Sequence, residues 1–135
     1  AIVVGNGPSL DGLLSTLKEI KDQVIILSCG SATGTLYKAG IQPDYHVEME
    51  RTRPTADWIC AGTSADFRKG ISILGLNTVA PETFALFEKQ YIAAKPNDLG
   101  LNIINDSTNV QFSLLDMCNP TVTNSGLSFA LNLGF

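Results

Sequence analysis

The sequence predicts an α/β fold, a Rossmann-like three-layer sandwich with a mostly parallel sheet. Short apolar runs alternate with helical stripes, and such a βαβα pattern with short joints implies parallel strands connected by right-handed crossovers. Residues 24–27 are apolar at every position, which is typical of a strand covered on both faces. The chain has 135 residues, 44% of them hydrophobic, which suffices for one core but not for two.

The first half of the chain alternates three predicted strands with three predicted helices. Residues 2–4 are β-branched and stop at Gly5, and from Leu10 the apolar side chains recur at the spacing of one helix face. Gly40 closes the second helix, and Pro43 turns the chain towards the third strand. The predicted strands are 2–4, 24–27 and 45–49, and the predicted helices are 10–20, 31–39 and 55–61.

The second half predicts two further strands and two further helices. Pro81 and the acid after it begin a helix, since proline suits the first helical position and an acid suits the first turn. Residues 95–112 contain Pro96, Gly100 and four asparagines, which predicts a long functional or mobile loop with a candidate short strand at 101–104. The predicted strands are 71–76 and 91–94, and the predicted helices are 81–89 and 125–133, the last stopped by Gly134.

Both ends of the sequence suggest a fragment of a longer protein. The chain begins inside a predicted strand without an initiator methionine, and it ends at Phe135, where a parallel sheet would continue with another strand. We therefore expect residues 1–135 to form one domain whose sheet is truncated at its C-terminal end.

Composition and charge exclude several classes of function. The net charge of −4 and the isoelectric point near 4.8 argue against sequence-independent nucleic-acid binding, which needs a basic face. No stretch approaches the ~20 apolar residues of a membrane span, and no secretory signal is visible. Cys29, Cys60 and Cys118 fit neither a disulfide framework nor a zinc site and predict buried thiols in a reducing compartment. We expect a cytoplasmic protein that binds no nucleic acid, membrane or protein-held metal.

A glycine-rich turn joins the first strand to the first helix. It comprises Gly5, Asn6, Gly7, Pro8 and Ser9. The glycines let a ligand approach the backbone, and the helix start, with Ser9 or Asp11 as its cap, attracts anions. The turn predicts a phosphate site, with simple chain reversal as the alternative. Asn6 either bonds its own backbone in an Asx-type turn or reads a base, ribose or phosphate, and both roles stay open.

Two familiar phosphate-binding turns do not match. A P-loop ends in lysine followed by serine or threonine, and two leucines stand there instead. A dinucleotide fingerprint needs a small residue where Leu10 stands and an acid after the second strand, where the chain has Cys29 and Gly30. Pro8 also removes one N–H donor. We do not expect NAD or ATP in these two binding modes.

Polar residues follow the second and third strands, next to the same crevice. Gly30 and Ser31 suit a wall against which a nucleotide lies, with capping of the next helix by Ser31 as the alternative. Period-two alternation places His46, Glu48 and Glu50 on one strand face. Glu50 lies at the carboxyl edge, where it could bind a ribose hydroxyl or a ligand-bound Mg²⁺. The alternatives are exposed ion pairs, either Glu50 with Arg53 or Glu48 with Arg51, and His46 is interpreted as structural.

The last helix offers a second N-terminus for an anion. Thr123, Asn124 and Ser125 supply polar donors there, Gly126 permits close approach, and helix capping is the alternative. The central expectation is that this helix start and the turn after the first strand converge over one edge of the sheet.

These segments together resemble the motility-accessory-factor family, which includes the MptE-like proteins. The matching stretches are GNGPSL, ILSCGSATGTLYKAGIQPDYHVEME and TVTNSGLSFALNLGF, in the family's order. The family groups bacterial proteins implicated in flagellin glycosylation with archaeal 6-hydroxymethylpterin diphosphokinases. Bacterial sialyltransferases that use CMP-activated sugars open with a similar turn whose asparagine contacts the nucleotide, which implies that role for Asn6. Glu50 stands where the family usually has aspartate, and the sialyltransferase general-base histidine has no counterpart here.

The resemblance implies a nucleotide-dependent transferase built on a Rossmann-like nucleotide-binding domain. The first hypothesis is a glycosyltransferase-type domain that transfers a CMP-activated nonulosonic (sialic-type) sugar to a protein hydroxyl, as in flagellin glycosylation. The second is diphosphoryl transfer from ATP to a pterin alcohol, which requires Mg²⁺ and more acids near the phosphates than Glu48 and Glu50. The third is a non-catalytic nucleotide or sugar-phosphate binding module. The expected ligand-binding residues are Gly5, Asn6, Gly7, Ser9, Gly30, Ser31, Glu50, Thr123, Asn124 and Ser125. No catalytic residue is assigned.

Overall fold

Five parallel strands form one sheet in the order β1-β2-β3-β4-β5, so neighbours in sequence are neighbours in space. The computed structural model describes residues 1–107 and 112–135. The strands are β1 Ile2–Val4, β2 Ile26–Cys29, β3 Tyr45–Glu48, β4 Ser72–Leu76 and β5 Lys89–Ala93. Their registers are all parallel, which confirms the predicted α/β class. We call the edge where the strands' carboxyl ends lie the carboxyl rim.

Seven α-helices connect and cover the strands in the described part of the chain. They are α1 Leu14–Ile20, α2 Ala32–Ala39, α3 Pro54–Gly62, α4 Ala65–Arg68, α5 Pro81–Phe84, α6 Leu99–Ser107 and α7 Val122–Asn132. A 3-10 helix, Pro8–Leu13, precedes α1, so the predicted first helix begins in a tighter form. Gly40 ends α2 with a φ of 70°, as predicted.

The helices lie on both faces of the sheet. Ile26 of β2 packs in one apolar cluster with Leu17 and Leu36, from α1 and α2. Its neighbour Leu27 packs in another cluster with Phe129, from α7. Because successive strand residues point to opposite faces, α1 and α2 cover one face and α7 covers the other. The expected three-layer arrangement is therefore confirmed.

Helix α7 lies directly on the sheet because glycine stands at the contact. A Cβ atom built on Gly126 would lie 2.5 Å from Cys29 Sγ and 2.8 Å from Val3 Cγ1. The contacts of α7 and the residues after it run from Gly126, over the end of β2, to Phe135. The ring of Phe135 lies 5.9 Å from that of Tyr45, at the start of β3. The helix thus runs back from the carboxyl rim, and Gly126 serves helix–sheet packing rather than ligand approach.

The predicted loop at 95–112 is wrong over residues 99–107, which form α6, and the candidate strand at 101–104 is wrong for the same reason. The side chain of Asp98 accepts a hydrogen bond from the backbone N–H of Leu101 (3.0 Å), as a helix-capping aspartate does. Leu101 is buried, which anchors the helix. The cap and this contact outweigh the weak helix propensity of its glycine and asparagines. The rest of the predicted loop includes residues 108–111, which lie outside the described residues.

Two other predictions are wrong, one about a helix and one about a cysteine. Residues 85–89 are not helical, since α5 ends at Phe84 and β5 begins at Lys89. Cys29 and Cys118 are buried, whereas Cys60 is exposed on α3, and all three thiols are free. Within residues 1–107 and 112–135, no helix has the length and apolar character needed to cross a membrane.

Candidate functional site

Three of the polar segments meet at the carboxyl rim. A Cβ atom on Gly5, after β1, would lie 2.9 Å from Oγ1 of Thr123 in the first turn of α7. A Cβ atom on Gly30, after β2, would lie 3.4 Å from Cγ1 of Val122. The turn after β1, the start of α2 and the start of α7 therefore lie side by side, as the central expectation required.

The turn after β1 is closed by backbone bonds. The N–H of Gly7 donates to the carbonyl of Gly5 (3.2 Å), and the N–H of Leu10 donates to the carbonyl of Gly7 (2.9 Å). Gly7 caps the 3-10 helix without a side-chain bond, so the predicted capping by Ser9 or Asp11 is wrong. Ser9 is exposed, and its hydroxyl is left outside the cap.

Asn6 bridges the turn to α2. Its Nδ2 donates to Oγ of Ser31 (3.0 Å), and its Oδ1 accepts from the hydroxyl of Thr35 (3.1 Å). The side-chain amide therefore does not form an Asx-type turn with its own backbone. It bonds two side chains at the start of α2, one just before the helix and one within it. Ser31 precedes α2 without making a side-chain cap bond, so its predicted capping role is also wrong.

The polar residues at the start of α7 have different surroundings. Thr121 is the N-cap, and its hydroxyl oxygen accepts the N–H of Asn124 (3.3 Å). Ser125 is 0% exposed, and its hydroxyl donates to the carbonyl of Cys118 (2.8 Å). Ser125 thus faces inward, away from the rim, whereas Thr123 faces Gly5. The first intrahelical bond starts at the N–H of Ser125, so the amides of Val122 and Thr123 have no acceptor within the helix.

At the end of β3, Glu48 is the buried acid and Glu50 the exposed one. Oε1 of Glu48 accepts the N–H groups of Met49 (2.8 Å) and Glu50 (2.9 Å). Neither alternative ion pair, Glu50 with Arg53 or Glu48 with Arg51, forms among the described residues. Glu48 instead lies beside His46, and Arg53 pairs with Glu82 (3.5 Å).

A chain of buried polar side chains runs beneath the rim. The hydroxyls of Ser28 and Thr33 lie 2.7 Å apart, and Thr33 Oγ1 lies 2.6 Å from Nδ1 of His46. The His46 ring is fully buried and stacks on Phe87 with centroids 5.1 Å apart. Its Nε2 lies 3.6 Å from Oε2 of Glu48, beyond hydrogen-bond distance, and has no hydrogen-bond partner among the described residues. His46 is structural, as interpreted, and it supports Glu48.

Glu48 is held as a carboxylate. Burial raises its pKa, but the neighbouring His46 ring and the N–H groups of Glu50 and Met49 lower it by more, so the pKa lies below its usual 4.5. The sequence analysis selected Glu50 as the acid of the site. In the structure Glu50 is exposed, and the buried anion at this end of β3 is Glu48.

A cavity of about 500 Å³ opens beside these residues. The starts of α2 and α7 border it through Gly30, Ser31 and Val122, and Glu48 and Glu50 form its polar end. Helix α3 also lines the cavity, and its Trp58 is 68% exposed. Trp58 was missed by the sequence reasoning, although it is the only tryptophan of the chain. Its helix is only weakly patterned, which gave no reason to single it out.

Not all expected site residues border this cavity. Gly5 and Ser9 line a second cavity of about 310 Å³ along β1 and α1. Asn6 lies between the two, bonded to Ser31 on the wall of the larger cavity. No group of three His, Cys, Asp or Glu side chains that could hold a metal ion occurs in the described ranges 1–107 and 112–135.

Comparisons with known proteins agree with this architecture. The model of the family "6-hydroxymethylpterin diphosphokinase MptE-like" matches residues 1–135. The chain is also similar to the structure of the Maf glycosyltransferase from Magnetospirillum magneticum AMB-1, with 35% sequence identity and a TM-score of 0.84 over 99% of its length. It spans 21% of that longer chain. No curated protein matches it significantly.

Proposed function

The chain belongs to the 6-hydroxymethylpterin diphosphokinase MptE-like family, and from this membership and its carboxyl rim we propose that it is the nucleotide-binding domain of a nucleotide-sugar-dependent glycosyltransferase. Its likeness to a Maf glycosyltransferase at 35% identity supports this choice within the family. The observation that carries the proposal is the contact between the turn after β1 and the first turn of α7.

The helix starts beside that contact offer hydrogen-bond donors to a phosphate. The amides of Val122 and Thr123 point out of the start of an 11-residue helix, and α2 begins next to them behind Gly30. Helix N-termini carry a partial positive charge and free N–H donors, and both stabilise an anion. Such fixed donors act most strongly on charge that develops during a reaction.

We propose a CMP-activated nonulosonic (sialic-type) sugar as the donor and a protein hydroxyl, such as that of flagellin, as the acceptor. In this transfer the acceptor oxygen attacks the anomeric carbon, and the bond from that carbon to the phosphate oxygen breaks. The electron pair leaves on the phosphate of CMP, and the hydroxyl proton is released. The service required of the protein is to stabilise the departing phosphate, which the helix starts provide without a metal ion. The free thiols support a cytoplasmic location for this reaction.

Diphosphoryl transfer from ATP is the second candidate, because Glu48 and Glu50 line the same cavity and could hold Mg²⁺ with a ligand's phosphates. Its support is smaller. Oε1 of Glu48 already accepts two backbone N–H groups, so the pair offers few oxygens for a cation that needs an octahedral shell.

Calorimetry on the full-length protein tests the proposal. We expect CMP to bind in the presence of a chelator and a CMP-activated sugar to be turned over with a protein acceptor. Binding of ATP that depends on Mg²⁺, with no affinity for CMP, would replace the first candidate by the second. Binding of CMP without turnover of any activated sugar would reduce the domain to a binding module.

A further inference from the structure

The larger cavity lies next to the proposed phosphate position but is not part of it. Gly30 and Val122 border both, since they stand at the starts of α2 and α7 and also line the cavity. A ligand whose phosphate lies against these helix starts therefore places its adjoining group in the cavity. The volume of about 500 Å³ is in the range of small-molecule sites.

Glu48 supplies the cavity with an incompletely bonded anion. The residue is 3% exposed, and its Oε1 is occupied by two backbone N–H donors. Oε2 has only the His46 ring beside it, at 3.6 Å, which is too far for a hydrogen bond. Glu48 lines the cavity, so a donor group on a ligand there could bond to Oε2.

The fixed geometry of Glu48 also limits what the donor can be. Because Oε1 is engaged with Met49 and Glu50, only Oε2 is available to a ligand. A pterin or guanine edge offers two parallel N–H donors and needs both oxygens of a carboxylate. A hydroxyl needs one. The carboxylate therefore suits a ribose hydroxyl better than a two-donor base edge.

Trp58 provides an aromatic side chain in the part of the lining that α3 contributes. Its indole is mostly exposed on α3, and the aliphatic Ile59 beside it also lines the cavity. A large exposed aromatic side chain that lines a pocket is well suited to stack on a planar base, because every nucleobase has a flat face.

We propose that this cavity takes the nucleoside part of the nucleotide, with a ribose hydroxyl donating to Oε2 of Glu48 and the base lying against Trp58. The inference rests on the proposed function, because it assumes that the ligand's phosphate lies at the helix starts. It makes Glu48, rather than Glu50, the residue that selects ribonucleotides.

The test compares ligands and variants of the full-length protein by calorimetry. The probes are CMP, its 2′-deoxy and 3′-deoxy forms, and ribose 5-phosphate. In Glu48→Gln the amide oxygen still accepts the two backbone N–H groups, so the strand end is kept and only Oε2 is replaced by a donor. Glu88→Gln is the matched control, since Glu88 is an exposed acid just before β5, at the other end of the strands.

We expect loss of one ribose hydroxyl to weaken binding to wild type by about 10- to 100-fold, the size of a hydrogen bond to a charged group. In Glu48→Gln, CMP and that deoxy form should bind equally weakly. We expect Trp58→Ala to weaken CMP by about 5- to 100-fold, the range for base–aromatic stacking, and ribose 5-phosphate much less. The fluorescence of Trp58, obtained as the wild-type signal minus that of Trp58→Phe, should change when CMP is added and should not change with ribose 5-phosphate.

The outcomes separate this inference from the proposed function. If CMP binds wild type while Glu48→Gln and Trp58→Ala keep full affinity for every probe, the nucleoside lies elsewhere and only the present inference is overturned. If no nucleotide binds wild type, the proposed function falls and this inference falls with it.

Discussion

Gly5 and Thr123 stand so close that no side chain fits between them: a Cβ atom on Gly5 would lie 2.9 Å from Oγ1 of Thr123. The two residues are far apart in sequence, one after β1 and one in the first turn of α7. Their contact joins the two ends of the chain at the carboxyl rim, and it makes the proposed phosphate site sensitive to a single methyl group.

Replacing Gly5 by alanine should therefore separate the turn from α7. We expect Gly5→Ala to lower the free energy of unfolding by about 1–3 kcal/mol, the usual cost of overpacking, and to weaken CMP binding. Thermal denaturation and calorimetry measure the two effects. Gly12→Ala is the control, since nothing lies within 4 Å of a Cβ there. Adding Thr123→Ala should restore stability to Gly5→Ala; a double variant no more stable than the single one would show that the clash is not the cause.

Asn6 should contribute to binding by holding the turn against α2. Asn6→Ala removes its bonds to Ser31 and Thr35, and we expect CMP affinity to fall by ~1–3 kcal/mol. Asn6→Asp can accept from both hydroxyls but puts a negative charge beside the proposed phosphate site, so its loss of affinity should exceed that of Asn6→Ala. Asn102→Ala, on the exposed side of α6, is the control. Unchanged affinity in a folded Asn6→Ala protein would remove Asn6 from the site.

Gly126 should be among the positions most sensitive to an added methyl group. A Cβ there would meet both Cys29 Sγ at 2.5 Å and Val3 Cγ1 at 2.8 Å, so α7 would have to lift off the sheet. We expect Gly126→Ala to lose about 1–3 kcal/mol of stability in urea denaturation. Leu127→Ala, at the exposed neighbouring position, should change stability little. Equal stability of the two variants would contradict the close packing.

The stability of the protein should depend on pH through Glu48. Its pKa in the folded state is below the usual 4.5, so its stabilisation is fully present above that pH and is lost as the pH falls through the folded pKa. The stability difference between wild type and Glu48→Gln should therefore shrink as the pH is lowered from about 7 to about 3. Urea denaturation across this range measures it. A difference that stays constant down to acid pH would show that the carboxylate is not paired in the folded state, and Glu88→Gln should show no such trend.

The cysteines should differ sharply in reactivity. Burial, with a smaller contribution from the charge of Glu48, raises the pKa of Cys29 to about 12, whereas Cys60 is exposed. Iodoacetamide at about pH 8 should modify Cys60 in the folded protein and leave Cys29 as an unreactive thiol. Peptide mass spectrometry identifies the modified residues, with the urea-unfolded protein as the control in which both react. Modification of Cys29 at the rate of Cys60 would contradict its burial.

The fold could be predicted from the sequence because its signals are local. Strands β1, β2 and β4 coincide with or overlap short apolar runs, and the first and last helices show periodic apolar stripes, so the order of these segments predicts the parallel α/β class. The short helix α4 was not predicted. Helix α6 was missed because it depends on one aspartate cap and one buried leucine, Asp98 and Leu101. Neither creates a stripe that can be recognised in a segment rich in asparagine.

The site was only partly predictable, because its details are non-local. Alternation placed Glu48 and Glu50 on one face of β3, but which acid is buried depends on helices packed from elsewhere in the chain. The partners of Asn6 lie 25 and 29 residues away, on α2. Trp58 becomes interesting only when the cavity between α3 and β3 is seen.

The cavity is built from two parts that differ in how freely they can change. Its floor, with Thr33 and Glu48, belongs to the buried polar chain of the core, so substitutions there endanger folding. Its wall is the solvent-facing side of α3, where Trp58 packs little and can be exchanged at small cost to stability. Substitutions on this outer helix can therefore change the shape of the cavity while the sheet and the helix starts beside it stay as they are.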